Sequence, residues 1–191
     1  MVAHDRGDLA GRDHPSLVEA LDAFTRAPLD QVEIDVDVKL AGREEEIVAA
    51  VREQGLSDRV MFSGMELESL RALAQLAPEM RRGWTLPKVS GDWRRSTLAK
   101  PFLRAAMANL RARLPRVVAS RAAELGVWSV WVFHPLVSPR LVESAHASGL
   151  AVFAWTVDDV ERQRELVALG VDGLVSNDPR TFRESIGVAA A

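Results

Sequence analysis

One stretch of strictly alternating residues, from Gln31 to Lys39, constrains the fold of this chain more than any other. Its apolar positions are Val32, Ile34, Val36 and Val38, and its charged positions are Glu33, Asp35, Asp37 and Lys39. Because successive side chains of a β-strand point to opposite faces, this pattern predicts a strand with one apolar and one charged face. Carboxylates two residues apart lie about 6 to 7 Å from one another along such a face. They repel one another unless they are solvated, paired or neutralised by a cation.

The kind of sheet around this strand decides between two interpretations of its charged face. In an antiparallel sheet one face can be open to solvent, and alternating charges then need no further explanation. The rest of the chain instead alternates strand and helix patterns, which is typical of a parallel sheet with both faces buried. The sequence therefore favours a metal or phosphate site on the charged face, with a solvent-facing antiparallel strand as the alternative.

The composition excludes several classes of protein. A chain of 191 residues that is 48% hydrophobic can bury the core of one domain. A net charge of −3 offers no basic surface for nucleic acid or anionic membranes, and the absence of cysteine excludes disulfides and zinc–thiolate sites. No apolar run reaches the roughly 18 residues of a membrane span, and no signal peptide is recognisable. These features predict a cytoplasmic protein without a membrane span.

A succession of strand and helix patterns follows along the chain. Helices are predicted at 16–26, 44–54, 65–77, 102–125, 138–148 and 158–169, with a helical turn at 181–186. Strands are predicted at 31–39, 59–63, 81–87, 126–133, 151–157 and 172–176. We expect the long helix to break at Pro115. The chain is predicted to form one domain, 1–191, with a loop and lead-in helix over 1–30 and six βα units over 31–186.

Polar and turn residues follow most of these strands, as in Ser63-Gly64, Pro87-Lys88, His134-Pro135, Thr156 to Asp159 and Asn177-Asp178. A TIM-type (β/α) barrel places its active site at the carboxyl ends of its strands. A full barrel has eight strands and about 250 residues. Six βα units therefore predict a TIM-type barrel that is N-terminally incomplete.

Three parts of the chain, which together hold five short stretches, resemble the glycerophosphodiester phosphodiesterase family. A-V-F-A-W-T-V-D-D (151–159) and L-G-V-D-G-L-V-S-N-D-P (169–179) resemble the last two strands of that family. V-D-V-K-L-A-G-R-E-E-E-I-V (36–48) and G-L-S-D-R-V-M-F-S (55–63) are similar to its acidic-residue-x-lysine strand, the next helix and the following strand. V-A-H-D (2–5) resembles its His-Asp motif. The resemblance extends over nearly the whole chain.

The family resemblance implies a TIM-like barrel that binds a divalent cation, Mg²⁺ or Ca²⁺. It implies hydrolysis of a small-molecule glycerophosphodiester to glycerol 3-phosphate and an alcohol, a reaction of glycerol and lipid metabolism. In the family two histidines act as general acid and base, and carboxylates hold the metal. The chemistry is consistent, because hard oxygen ligands suit these cations and a near-neutral histidine can protonate a leaving alkoxide.

The resemblance transfers roles to individual positions. His4 matches the second catalytic histidine, Asp37 takes the place of the acidic metal ligand of the third strand, and Lys39 matches the lysine two residues later. Trp155 matches the aromatic residue that lines the substrate.

Three further residues are candidates by their position in the pattern. Asp35 and Glu33 share the charged face with Asp37 and are candidate metal ligands. His134 leaves a strand on the site-facing side and is a candidate phosphate contact; an exposed loop histidine is the alternative.

The chain also departs from the family. The family's first strand ends in His-Arg-Gly and its second carries Glu-x-Asp, and neither is clearly present here. In a rival alignment, A-H-D-R-G (3–7) is a His-Arg-Gly with an inserted aspartate and E-I-D (33–35) is the Glu-x-Asp, although residues 36–63 fit the third-strand alignment better. Either way one ligand set is missing, so we expect slower turnover than in a complete family member.

Two other classes of function stay open. An incomplete barrel has unpaired strand edges, which seek partners, so the chain could be a non-catalytic module that closes as a homo-oligomer or on another polypeptide. An unrelated open α/β phosphate-binding protein is disfavoured, because no glycine-rich phosphate loop follows any strand.

Overall fold

The computed structural model describes residues 14–88 and 100–187, and these alternate between strands and helices. The strands are β1 Ile34–Asp37, β2 Val60–Gly64, β3 Arg81–Leu86, β4 Ser129–Phe133, β5 Ala151–Trp155 and β6 Gly173–Leu174. The helices are α1 Leu17–Ala23, α2 Glu44–Glu53, α3 Leu67–Leu76, α4 Lys100–Leu125, α5 Pro139–Ala147, α6 Val160–Ala168 and α7 Phe182–Ser185. Short 3₁₀ turns lie at His134–Leu136 and Pro179–Thr181.

The strands follow one another in the sheet in chain order. The pairs β1–β2, β3–β4, β4–β5 and β5–β6 are parallel. This confirms the predicted βα succession of a TIM-type barrel. By its internal contacts the chain forms two compact units, residues 1–82 and 83–191, which are described separately below.

In the first unit, β1 and β2 carry an apolar face that packs on helices. Ile34 pairs with Val60 and Asp37 with Ser63 in the parallel register. Ile34, Val38 and Phe62 belong to one buried cluster with apolar residues of α1, α2 and α3. Since side chains alternate along a strand, the charged residues of β1 lie on the other face.

The chain before β1 is held by one arginine at the start of β2. The Arg59 guanidinium donates hydrogen bonds to the carbonyl oxygens of Phe24, Leu29 and Val32, at 2.7 to 3.1 Å. A planar guanidinium has five N–H donors and can therefore satisfy several backbone acceptors at once. Arg59 thus adds side-chain hydrogen bonds to the backbone bonds that the turns between α1 and β1 already make.

In the second unit, β4 and β5 have an aliphatic face and an aromatic face. Val130, Val132 and Val152 are fully buried. On the other face Trp131 stacks on Phe153, with ring centroids 4.5 Å apart and an interplanar angle of 7°. The register pairs Trp131 with Phe153 and Phe133 with Trp155, which aligns the four aromatic rings in two rows.

Two details differ from the predictions. β1 is four residues long, Ile34–Asp37, although the alternating pattern extends over Gln31–Lys39. The predicted break at Pro115 is wrong, because α4 continues through this residue. Its neighbours Leu114 and Val118 are buried, and this packing outweighs the backbone hydrogen bond that a proline cannot make.

Most of the segment between β3 and α4 lies outside the described residues, and α4 begins at Lys100. Among the described residues, no helix has the length and apolar character that crossing a membrane requires.

Candidate functional site

Three charged side chains of the first unit lie along the face of β1 that points away from the helices. The Asp35 carboxylate accepts a hydrogen bond of 2.9 Å from the Ser63 hydroxyl of β2. The Asp37 carboxylate lies 2.7 Å from the Lys39 ammonium, and both side chains are about 40% exposed. Val38, between Asp37 and Lys39, is buried and donates its N–H to the Ser63 carbonyl. This backbone contact fixes the position of the charged pair at the carboxyl end of β1.

Asp35 is the most perturbed carboxyl group of this face. Its pKa is raised from 3.8 to about 7, chiefly by desolvation and with a smaller contribution from the nearby charge of Asp37. The hydrogen bond from Ser63 and the charge of Lys39 act in the opposite direction and only partly compensate. A carboxyl group with this pKa is one whose ionised form lacks sufficient stabilisation by the protein itself. A cation bound beside it would supply that stabilisation.

Glu33 lies one residue before β1 and is bonded differently from the two aspartates. Its carboxylate forms an ion pair of 2.7 Å with Arg81, and its side chain is 71% exposed. An exposed pair of this kind leaves a carboxylate mobile and solvated. The Glu33 carboxylate is therefore accessible to solvent, and its ion-pair partner is Arg81.

The donor set of β1 fits a hard divalent cation in part. Asp35 and Asp37 offer carboxylate oxygens, and Mg²⁺ in proteins is often held by one or two carboxylates while it keeps several waters. Within residues 14–88 and 100–187, no group of three or more acidic or histidine side chains is arranged to hold a metal. The two aspartates would therefore supply only part of the ligand set of such a cation.

The predicted substrate residues of the second unit lie at the carboxyl ends of β4 and β5. The rings of Phe133 and Trp155 are 5.4 Å apart, and Phe133 contacts the imidazole of His134 edge-on at 5.4 Å. The Trp155 indole N–H donates to the Trp131 carbonyl at 3.0 Å, which fixes the orientation of its ring. Phe133, His134 and Trp155 are all half-buried, so each exposes part of its ring.

His134 is held by an arginine of α6. The Arg162 side chain donates to the His134 carbonyl oxygen at 2.7 Å and to ring atom Nδ1 at 3.3 Å. Desolvation and the adjacent Arg162 charge lower the pKa of His134, and Asp158 and Asp159 oppose this effect. His134 is therefore neutral at physiological pH.

Asp158 organises the loop that follows β6. Its carboxylate accepts hydrogen bonds from the Ser176 hydroxyl and from the backbone and side-chain N–H groups of Asn177, at 2.8 to 2.9 Å. These bonds, chiefly those from Asn177, hold the pKa of Asp158 below its usual value. Asp159 caps α6 by accepting from the Arg162 N–H at 2.8 Å. The two aspartates of T-V-D-D (156–159) thus stabilise the loop after β6 and the start of α6.

The structure places the predicted site residues in two groups, one within each unit. Asp35, Asp37 and Lys39 are neighbours in the first unit, whereas His134 and Trp155 are neighbours in the second. His4 lies outside the described residues. Sequence reasoning marked Ser63 only as part of a strand-end signal and did not identify Arg162. An arginine on an amphipathic helix gives no sign in the sequence that it contacts a histidine 28 residues earlier.

Comparison with known proteins gives a consistent result. The model of the glycerophosphoryl diester phosphodiesterase family matches residues 23–181. A glycerophosphodiester phosphodiesterase of Caldanaerobacter subterraneus subsp. tengcongensis is 26% identical over 175 residues, which are 91% of this chain and 62% of that protein. A glycerophosphodiester phosphodiesterase of Arabidopsis thaliana is 40% identical over 58 residues, or 30% of this chain and 18% of that protein.

Solved structures show the same fold. A candidate glycerophosphoryl diester phosphodiesterase of Silicibacter pomeroyi superposes with a TM-score of 0.68 at 26% identity, covering 93% of this chain and 58% of that one. An Oleispira antarctica phosphodiesterase, solved in complex with the product sn-glycerol-3-phosphate, gives 0.63 at 21% identity and 91% and 62% coverage.

The chain thus spans about three fifths of the length of the bacterial relatives it matches. The family model nevertheless covers most of the chain, from before β1 to the turn after β6. This protein belongs to the glycerophosphoryl diester phosphodiesterase family.

Proposed function

We propose that this protein is a metal-dependent hydrolase of glycerophosphodiesters, which it converts to glycerol 3-phosphate and an alcohol. The observation that carries the proposal is the charged face of β1, where Asp35, Asp37 and Lys39 lie together at the end of a parallel strand. The membership of the family and the name of the bacterial relative support the reaction class. Since the chain spans 62% of that relative, its own activity needs direct measurement.

The carboxylates have the first role in this proposal. Asp37 and Asp35 would hold Mg²⁺ or Ca²⁺, and Glu33 is a further candidate ligand if it leaves Arg81. When bound, the cation neutralises phosphate charge and lowers the pKa of a coordinated hydroxyl group. The raised pKa of Asp35 supports this role, because it indicates a carboxylate whose charge the protein alone stabilises poorly.

Lys39 has the second role. Its ammonium is paired with Asp37 in the structure described here. A phosphate oxygen can accept hydrogen bonds from the same ammonium, which has three N–H donors. We therefore assign Lys39 to the phosphate of the substrate and to stabilisation of the charge that develops on its oxygens.

The remaining roles belong to two histidines and an aromatic residue. His4 is proposed as the general acid and base, on the basis of its motif. His134 and Trp155 are proposed as substrate contacts, because both half-buried side chains lie at strand ends and both have fixed orientations. We also propose that this chain turns over more slowly than a full-length family member.

A hydrolysis assay tests the proposal directly. Glycerophosphocholine is incubated with the purified chain, and released glycerol 3-phosphate is measured with Mg²⁺, with Ca²⁺ or with EDTA. We expect cation-dependent release that is lost in Asp37→Asn and Lys39→Met, and kept in Asp30→Asn, which removes a carboxylate outside β1. Release that is equal in EDTA, or unchanged in Asp37→Asn, would contradict the assigned roles. Mass measured over a range of concentrations in the same samples tests the alternative, a non-catalytic module that closes by self-association.

A further inference from the structure

Arg162 binds His134 through two of its side-chain nitrogens. Nη2 donates to the His134 carbonyl oxygen at 2.7 Å, and Nε faces ring atom Nδ1 at 3.3 Å. The remaining nitrogen, Nη1, lies 2.6 Å from the Glu165 carboxylate, and the arginine side chain is only 24% exposed. The backbone N–H of Arg162 is fixed by the Asp159 cap. The guanidinium therefore has a single well-defined position beside the imidazole.

This contact determines which ring nitrogen of His134 can carry a proton. A guanidinium stays protonated in proteins and has donors but no acceptor. Nδ1 must therefore offer its lone pair to Arg162, and a neutral imidazole then carries its proton on Nε2. Nε2 makes no hydrogen bond to any other residue that the structure describes. The Nε2–H group of His134 is therefore available to donate a hydrogen bond to a bound molecule.

The charges around the ring have opposite effects on its protonation. Burial and the adjacent Arg162 disfavour the doubly protonated cation, whereas Asp158 and Asp159 favour it. Both aspartates are already engaged, Asp158 with Ser176 and Asn177 and Asp159 with the start of α6. Neither aspartate is hydrogen-bonded to the imidazole, so the arginine is the charged group in direct contact with it.

We propose that Arg162 is a positioning residue that fixes His134 in the Nε2–H tautomer, so that His134 donates a hydrogen bond to a substrate oxygen and does not exchange protons. The identity of that oxygen, in the phosphate or in a hydroxyl group of a glycerophosphodiester, rests on the proposed function. The tautomer itself does not, because it follows from the contacts of Arg162 alone. His134 is then distinct in role from the acid–base histidine of this reaction class.

The test is a nitrogen-15 NMR titration of the four histidines of the full chain, without substrate. The two ring nitrogens of each neutral histidine differ widely in shift, so the tautomer is read directly. We expect His134 to have an unprotonated Nδ1 in the unmodified protein. In Arg162→Gln we expect a mixture of tautomers and a His134 pKa about one unit higher, the size of one nearby charge.

Two controls separate this effect from loss of structure. Arg164→Gln removes an arginine of the same helix that forms an ion pair with Glu161 and donates to the Glu184 carbonyl oxygen, and it should leave His134 unchanged. His146, hydrogen-bonded to Asp172 at 2.8 Å, reports whether the second unit stays folded. If Arg162→Gln shifts His146 as well, Arg162→Met provides a second variant: it keeps an unbranched side chain but has no N–H donor, and should still mix the tautomers. A protonated Nδ1 in the unmodified protein, or a tautomer unaffected in both Arg162 variants, would overturn the proposal. Absent hydrolysis with the expected tautomer would count only against the proposed function.

Discussion

Replacing Asp35 with asparagine should stabilise the protein above neutral pH. In the absence of a cation, desolvation raises the pKa of Asp35 from 3.8 to about 7. One pKa unit corresponds to about 1.4 kcal/mol, so ionised Asp35 opposes folding by at most about 4 kcal/mol. Desolvation dominates this pKa, yet by accessible surface Asp35 is an exposed residue; the surface accessibility governs the energy, and solvent screening then reduces the expected effect to about 1–2 kcal/mol. Asparagine keeps an oxygen that can accept the hydrogen bond from Ser63 and carries no charge.

The stability gained by Asp35→Asn should depend on pH, because Asp35 titrates and asparagine does not. An acid whose pKa is raised on folding contributes stability that is complete below its unfolded pKa and is lost as the pH rises through its folded pKa. For Asp35 this window runs from about pH 4 to about pH 7. Asp35→Asn does not titrate, so its advantage over the unmodified protein should be small near pH 5 and reach its full size by pH 8.

The assay is thermal unfolding in EDTA at pH 5, 6, 7 and 8. For a domain of this size, 1–2 kcal/mol corresponds to a rise in Tm of about 2–8 °C. Asp30→Asn, outside β1, controls for the removal of one negative charge. If the Tm of Asp35→Asn is not raised at pH 8, or is raised as much at pH 5 as at pH 8, the protein does not destabilise the ionised form of Asp35 and the interpretation is wrong.

Further predictions concern the cation and the core. Millimolar Mg²⁺ or Ca²⁺ should raise the Tm of the unmodified protein and leave that of Asp37→Ala unchanged, because a ligand that binds only the native state stabilises it; an equal rise in both would place the cation elsewhere. Gly173→Ala should lower the unfolding free energy by about 1–3 kcal/mol, since its Cβ would overlap the Phe153 ring; denaturant unfolding that shows no loss would contradict this packing. Phe62→Ala should lower it by about 3–5 kcal/mol, because Phe62 is fully buried in the core of the first unit; the same measurement with a smaller loss would indicate a looser core.

The repeating βα architecture could be predicted from periodicity, because each helix and strand carries its own apolar pattern. The strict alternation around β1 also gave the correct face for Asp35, Asp37 and Lys39. The length of β1 could not be predicted this way. Pairing is set by the partner strand, and β2 begins only at Val60, opposite Ile34.

Features that depend on contacts between distant segments were not visible in the sequence. Pro115 is a helix breaker by local preference, yet the burial of its neighbours keeps α4 continuous. The pairing of Glu33 with Arg81 joins residues 48 positions apart. The same holds for Arg162 and His134. A periodic pattern identifies which face a side chain occupies, but the partner across that face is fixed only by the tertiary fold.

The bonds of Arg59 imply that the segment between α1 and β1 opens cooperatively. Three carbonyl groups, of Phe24, Leu29 and Val32, are bonded to one guanidinium. Release of that single group removes these side-chain bonds together and leaves the segment only its own turn bonds, such as that from the Val32 N–H to the Leu29 carbonyl. The amides of Thr25, Leu29 and Val32 donate to turn carbonyls and not to Arg59, so we expect Arg59→Met to speed their hydrogen exchange together by loosening the turns that they close. The timing of exposure of this segment is set by a residue that lies beyond β1 in the sequence.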